Sequence, residues 1–382
     1  MFDVIGPKRP VSWAFDFWPV FLFSLIGSLI ATWMCKKIAL KFNIVDRPDN
    51  VVKTHGEPIA YLGGIGILTG LVIGVFTGMM LLIGEGVSAH VFRMLLGVLG
   101  GAAIAVLIGL ADDIFDITPG KKFAGQIIAA LAIIFTGIYP DFNTLMGPFG
   151  FSIPEYLSTS LGAFIVIFFV LGATNSLNLL DGLDGLCAGV TAIIVFAMLL
   201  LSIHLGTWGH SGTGDPVRMV ICLGLFGGVC GFLPFNRHPA KIFMGDAGSM
   251  LLGFVVAALM MLFAEKYVRW WMASVVVFGL PILDTATALT RRFINKKPLF
   301  VSDRGHIYDQ MIDRGLSLKR TVRVSYLLAA GYAITGLLMS QIRARYAIIV
   351  NLAVFIVSGV IIWKKGYLEM EGVRGLRKKG SD

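Results

Sequence analysis

The stretch NSLNLLDGLDGL, residues 175–186, sets Asn175, Asn178, Asp181 and Asp184 at three-residue intervals and fills most of the gaps with leucine. It lies between two apolar runs, 156–174 and 185–205, each of the length that crosses a hydrocarbon core, for which about 20 mostly apolar residues suffice. Polar groups in that position stand at the mouth between two membrane spans, where ionisable side chains are costly and mark functional sites. An α-helix turns 100° per residue, so steps of three drift around it. A 3₁₀ segment keeps i and i+3 in register. With Gly182 and Gly185 directly after the two acids, a broken or tightened turn carrying a polar ladder is expected here.

The rest of the 382-residue chain has the same character, with 56% hydrophobic and 14% charged residues, a composition foreign to a soluble domain. Apolar runs near 17–35, 62–84, 93–111, 123–139, 156–174, 185–205, 216–234, 248–264, 270–290, 322–341 and 346–363 predict eleven spans. The fold class is therefore an all-α polytopic integral membrane protein, read as a single domain over 1–382, with no repeat of 20–50 residues. The first run is long and aromatic and ends in Met34-Cys35-Lys36-Lys37 without a small-x-small site, so it reads as a true span. YPDFNTLMGPFGFSIPEY (139–156) has the Pro, Gly and Asn punctuation of a small outer β-hairpin.

Basic residues flanking spans stay on the cytoplasmic side. With the N-terminus outside and the C-terminus inside, the inner segments hold 24 of the 32 Lys and Arg and the outer segments 8, Lys8 and Arg9 at the N-terminus among them. The net charge of +9 is thereby explained by positive-inside retention and anionic headgroups, which removes nucleic acid as a partner. Cys35, Cys187, Cys222 and Cys230 form no CxxC and sit in or beside apolar segments, which supports neither zinc nor a disulfide framework.

The acids collect at the inner ends of the spans: Asp112, Asp113 and Asp116 in GLADDIFD, Asp181 and Asp184, Asp246 in FMGDAGSMLLG, and Asp284 in PILD. Any one is accounted for as a cap or a solvated acid, and Asp246 fits an N-cap. Four such groups converging on one face repel unless a cation is present. All-oxygen ligands favour a hard ion such as magnesium, which shares its shell with substrate phosphates. Lys53, His55, Lys121, Lys122, Arg237, His238, Lys241, Arg291, Arg292, Arg304 and His306 stand at the same face. Acids with metal and basic groups can clamp a pyrophosphate. Neither GxxxxGK[ST] nor GxGxxG occurs in the inner loops, so a glycine cradle is not the device. A secondary transporter would instead place its acids at the bilayer midplane between structural halves.

In order along the chain stand KxH with P-x(4)-GG (Lys53, His55, Pro58, Gly63, Gly64), DDxxD (Asp112, Asp113, Asp116), KxxxQ (Lys122, Gln126), NxxNLxDGxDGL (Asn175 to Leu186), FMGDxGS (Phe243 to Ser249) and PxxDTxxxxxRR (Pro281 to Arg292). Over residues 45–320 this resembles the polyprenyl-phosphate N-acetylhexosamine-1-phosphate transferases of the glycosyltransferase 4 superfamily. The resemblance is nearest to the UDP-GlcNAc:undecaprenyl-phosphate branch (WecA and TagO), with the MraY branch as cousins.

The resemblance implies transfer of sugar 1-phosphate from UDP-GlcNAc to undecaprenyl phosphate with release of UMP, at the cytoplasmic face of a bacterial inner membrane, as the first membrane step of an envelope polysaccharide. It implies magnesium, with manganese as a substitute, held by Asp246 and by Asn178 as second ligand. It assigns Asp112 and Asp113 to the lipid phosphate, with direct attack favoured because a phosphate monoester is largely ionised near neutrality. Asp184 and Phe243 match positions that hold and stack uracil. Asp181, His55 and Asn175 join the substrate site, and Lys53, Lys122 and Arg304 match contacts to the phosphates. The last loop departs from the pattern: where the WecA and TagO branch carries HxHH, SDRGHIYDQM (302–311) keeps His306 as the remaining catalytic candidate and has Tyr308 and Asp309 at the other places. The MraY reaction on UDP-MurNAc-pentapeptide is the subclass alternative, another UDP-N-acetylhexosamine the alternative sugar, and a homodimer is compatible with either.

Overall fold

A computed structural model of the protein describes residues 15–46, 58–147, 150–207, 214–264, 268–298 and 305–369. In chain order the elements are α1 (Trp18–Lys41), β1 (Val45–Asp46), β2 (Ile59–Tyr61), α2 (Gly63–Ile83), α3 (Ala89–Phe115), α4 (Pro119–Ile134), α5 (Phe142–Met146), α6 (Glu155–Leu180) and α7 (Leu186–Thr207). They continue with α8 (Gly214–Asn236), β3 (Ile242–Phe243), α9 (Gly245–Ala264), α10 (Val268–Val277), α11 (Gly279–Ile294), α12 (Ile307–Asp313), α13 (Leu318–Met339) and α14 (Ala344–Lys364). Among the described residues nine helices are long and apolar enough to cross a membrane, and the chain is an all-α multi-pass membrane protein.

Two of the eleven expected spans take another form. The run at 123–139 is α4, whose 16 residues reach only about 24 Å at 1.5 Å per residue. The run at 270–290 is split into α10 and α11, which meet at 68°. Pro281 stands in the first turn of α11, where its missing N–H costs nothing but where it cannot continue a preceding helix.

Close helix packing is set by small residues. Gly66, Gly70, Gly74 and Gly78 recur every four residues along α2, and a Cβ at Gly70 would stand 2.6 Å from the Ser28 side chain of α1. Along the same seam, Ser24 Oγ and Ser28 Oγ donate to the carbonyls of Gly224 and Gly228 in α8, at 2.5 and 2.6 Å. In lipid there is no hydrophobic drive between helices, so backbone approach and interhelical hydrogen bonds take its place.

Helix α9 is the centre of the bundle and is buried along its whole length. It packs chiefly against α3 and α6. Gly109 of α3 lies against the backbone of Asp246 and Ala247, and Gly253 of α9 against Thr174 of α6. These contacts bring the ends of α3 and α6 to the start of α9, which is where the polar site forms.

A three-stranded sheet, ordered β1-β2-β3, covers that start. Val45 and Asp46 pair antiparallel with Ala60 and Ile59, while Ala60 and Tyr61 run parallel to Ile242 and Phe243. The expected hairpin over 139–156 is not formed among the described residues; α5 stands there instead. Asp141 accepts from Asn143 N, Thr144 Oγ1 and Ser158 Oγ and so caps α5. The Asn143 amide exchanges both hydrogen bonds with the Ile153 backbone, at 2.9 and 2.8 Å, supplying the pairing a second strand would have made.

Candidate active site

The opening stretch resolves into three parts. Asn175 and Asn178 lie in the last turns of α6, residues 181–185 form an irregular turn, and α7 begins at Leu186. Two short i→i+3 bonds, Asp181 N to Asn178 O and Leu186 N to Leu183 O, mark the tightened ends. The chain breaks as expected, but the even polar ladder does not form, because the helix persists through Asn178 and the side chains of Asn175, Asn178 and Asp184 go to different partners.

Asn178 donates through Nδ2 to Asp246 Oδ1 at 2.7 Å and to Ser249 Oγ at 3.0 Å. This fixes the amide, so that Oδ1 faces Lys122 Nζ at 3.5 Å. The same ammonium is 2.8 Å from Asp112 Oδ2 and is hydrogen-bonded to Asp246 Oδ2. Three oxygens from α3, α6 and α9 thus converge on one positive charge, delivered from the first turn of α4. One helical turn further along α4, Gln126 accepts from Asn175 Nδ2 at 3.0 Å, which places Asn175 behind this cluster.

Asp113 has a separate position. Its two carboxylate oxygens accept the backbone N–H groups of Asp246 and Ala247, at 2.9 and 3.2 Å. It therefore caps α9 from a neighbouring helix, satisfying donors that a helix start leaves without intrahelical partners. Asp246, expected as the N-cap itself, is inside the first turn, and its carboxylate is free for the cluster. Asp116 ends α3 in the left-handed region at φ 48°.

A cavity of about 390 Å³ adjoins the cluster, with Asn178, Asp181, Asp184, His238, Phe243 and Asp246 among its lining residues. That volume suits a small-molecule ligand. Asp184 Oδ2 accepts from His238 Nδ1 at 2.8 Å and from Ala240 N at 3.1 Å, while Oδ1 receives no hydrogen bond from the described residues. Phe243 meets Tyr61 edge-on with centroids 6.0 Å apart. Asp181 takes no side-chain hydrogen bond among the described residues. Burial, followed by the facing carboxylates of Asp246, Asp113 and Asp184, pushes its carboxyl well above the usual range.

His306 is elsewhere. It is 5% exposed and is not on the cavity wall. Its Nδ1 lies 2.8 Å from Asp284 Oδ2, and Asp284 Oδ1 accepts Ile307 N at 2.7 Å, a brace between α11 and the start of α12. Arg291 and Arg292 are buried, and Arg291 donates to the Gly305 carbonyl. Lys53, His55 and Arg304 lie outside the described residues. Asp46, Tyr61 and Asn236 line the cavity without having been expected there. Asp46 and Tyr61 enter through strands of two and three residues, too short for a period-2 signal.

The donor set also fits a hard divalent ion. Asp112, Asp246 and Asn178 offer only oxygen to the point where the lysine ammonium sits. No group of three or more His, Cys, Asp or Glu able to hold a metal is present among the described residues. Magnesium does not require one, because it uses one or two carboxylates and completes its shell with water and substrate phosphate.

A transmembrane bundle with a metal-suited oxygen cluster and a cavity of small-molecule size at one end defines a class of membrane enzyme that works on phosphorylated substrates. The model of glycosyl transferase family 4 matches residues 95–264, the part that supplies Asp112, Lys122, Asn178, Asp184 and Asp246. The chain is 31% identical to the probable undecaprenyl-phosphate N-acetylglucosaminyl 1-phosphate transferase of Bacillus subtilis, over 92% of this chain and 91% of that one. It is 29% identical to decaprenyl-phosphate N-acetylglucosaminephosphotransferase of Mycobacterium tuberculosis H37Rv, over 89% and 86%. With phospho-N-acetylmuramoyl-pentapeptide-transferase of Oceanobacillus iheyensis the identity is 30%, over 76% and 85%. The chain belongs to glycosyl transferase family 4.

Proposed function

We propose that this protein transfers N-acetylglucosamine 1-phosphate from UDP-N-acetylglucosamine to undecaprenyl phosphate, releasing UMP, at the cytoplasmic face of a bacterial inner membrane. The observation that carries the reading is the convergence of Asp112, Asp246 and Asn178 on the Lys122 ammonium beside the cavity. The names of the relatives from Bacillus subtilis and Mycobacterium tuberculosis favour N-acetylglucosamine and a polyprenyl phosphate.

An oxygen of the lipid phosphate attacks the sugar-bearing phosphorus of the nucleotide sugar. The bond from that phosphorus to the bridging oxygen breaks, and the oxygen leaves with UMP. One phosphoanhydride replaces another, so little net energy is released, and positioning with charge stabilisation supplies the catalysis. Asp246 and Asn178 would hold magnesium, or manganese in its place, and the ion supplies positive charge against the diphosphate. Lys122 adds charge of the same sign from α4, and Asp112 orients the incoming phosphate. Asp113 keeps the start of α9 in place. The unengaged Oδ1 of Asp184 accepts an N–H from the uracil, and Phe243 offers its ring to the base. Undecaprenyl-diphosphate-linked N-acetylglucosamine formed in this way begins an envelope polysaccharide.

A second reading, transfer of phospho-MurNAc-pentapeptide, is favoured by the Oceanobacillus iheyensis relative. Purified protein given undecaprenyl phosphate, magnesium and a panel of UDP-sugars separates the two, with the lipid product read by mass. UDP-N-acetylglucosamine is expected to give product and UDP-MurNAc-pentapeptide none. The reverse pattern selects the second reading, and absence of UMP with every UDP-sugar of the panel, UDP-MurNAc-pentapeptide included, rejects both.

A further inference from the structure

The turn at 181–185 carries Asp181 and Asp184 into the cavity, yet irregular backbone of this kind is intrinsically mobile. Its fixation comes from two phenols supplied by the far end of the chain. Tyr308 in α12 donates to the Leu179 carbonyl at 2.9 Å, on the entry side of the turn. Tyr326 in α13 donates to the Gly185 carbonyl at 2.6 Å, on the exit side. Asn236 reinforces the exit, accepting Gly185 N at 3.2 Å and donating to Ile242 O at 3.1 Å.

The glycine pattern fits these phenols. A Cβ on Gly182 would stand 2.2 Å from the Tyr308 phenol oxygen, and one on Gly189 would stand 2.1 Å from that of Tyr326. Glycine at both positions leaves the space into which a phenol reaches. Leu179 lies in the last turn of α6, where carbonyls lack intrahelical partners. Tyr308 itself is aimed by the brace described above. It is 6% exposed and stacks on His306 with centroids 5.5 Å apart and planes 9° apart, while Asp284 fixes the imidazole.

Neither tyrosine lines the cavity, so both act through the backbone. The geometry points to Tyr308 and Tyr326 as a two-point clamp that sets the place of Asp181 and Asp184, which makes them positioning residues for the nucleotide end of the site. Both lie beyond residues 95–264, the portion matched by the family model. The kinetic consequence rests on the function proposed above, whereas the clamp itself does not.

The test uses Tyr308→Phe, Tyr326→Phe and the double variant, which keep both rings and remove only the donors. Amide hydrogen exchange needs no turnover. The double variant is expected to exchange the amides of 181–186 at least tenfold faster, with α9 unchanged. In the transferase assay its KM for UDP-N-acetylglucosamine should rise about tenfold while that for undecaprenyl phosphate stays within twofold. Unchanged exchange at the turn in folded protein overturns the clamp, as does a kcat loss with both KM values unmoved. Should the double variant fail to fold, the single variants decide by the same exchange readout. A wild type without turnover rejects the proposed function and leaves the exchange result to judge the clamp.

Discussion

Asp112 and Asp113 are neighbours in sequence, and the fold separates their work. Asp112 faces Lys122 in the cluster, while Asp113 holds two N–H groups of α9. A cap of that kind is worth about 1–2 kcal/mol, and an amide in its place accepts one N–H but opposes the second with its own donor. Asp113→Asn should therefore lower stability by about 1–2 kcal/mol together with activity. Asp112→Asn should abolish most turnover with a stability change within about 1 kcal/mol, the range of a partly exposed ion pair. Denaturation in detergent alongside UMP release checks both. Asp181 gives a pH signature. Its folded pKa lies above the unfolded one, so its contribution to stability is complete below the ordinary carboxylate range and is lost as pH rises through the raised value. Asp181→Asn cannot ionise, and thermal unfolding with EDTA present should show a shallower decline toward alkaline pH than the wild type. Identical slopes would place the titrating group elsewhere.

Two elements carry expectations of their own. The brace of Asp284, His306 and Ile307 N joins α11 to α12 away from the cavity wall. His306→Ala should cost about 1–3 kcal/mol, the effect of leaving a buried acceptor without its partner, while the folded fraction retains more than half of wild-type kcat. A kcat loss of a hundredfold in folded protein would return His306 to the reaction. The glycine stripe of α2 makes the opposite prediction. Gly70→Leu has no room against Ser28 and the Ser24 carbonyl, so overpacking should lower the melting temperature and the yield without altering KM in the protein that folds. The α10–α11 break was hidden in the sequence because the 270–290 run is apolar enough for one span. What divides it is Pro281 and the polar face of α11, which buries Asp284, Arg291 and Arg292.

At the scale of the molecule, span positions were legible because hydrocarbon thickness dictates apolar length, and nine expected spans correspond to helices of spanning length. Much of the candidate site was legible for a related reason. Charged groups in lipid surroundings need one another, so acids and lysines at span ends belong together. The covering sheet was not legible, since its pairings join Ala60 and Tyr61 to Ile242 and Phe243 across the whole first half of the bundle. Nor were the Asp113 cap and the two phenol clamps, because a side chain bonded to a distant backbone group leaves no periodicity in its own segment. These unread contacts all serve one arrangement, in which α9 is held centrally and the termini of α3, α4 and α6 meet at its start. Under the proposed function this meeting point exchanges one phosphoanhydride for another. UDP-N-acetylglucosamine labelled in the sugar-bearing phosphate, incubated with the protein, magnesium and undecaprenyl phosphate, tests it directly. The label should pass with the sugar into the lipid fraction while unlabelled UMP appears in equal amount. Label that stays in the water phase, or leaves as free phosphate, would overturn that function.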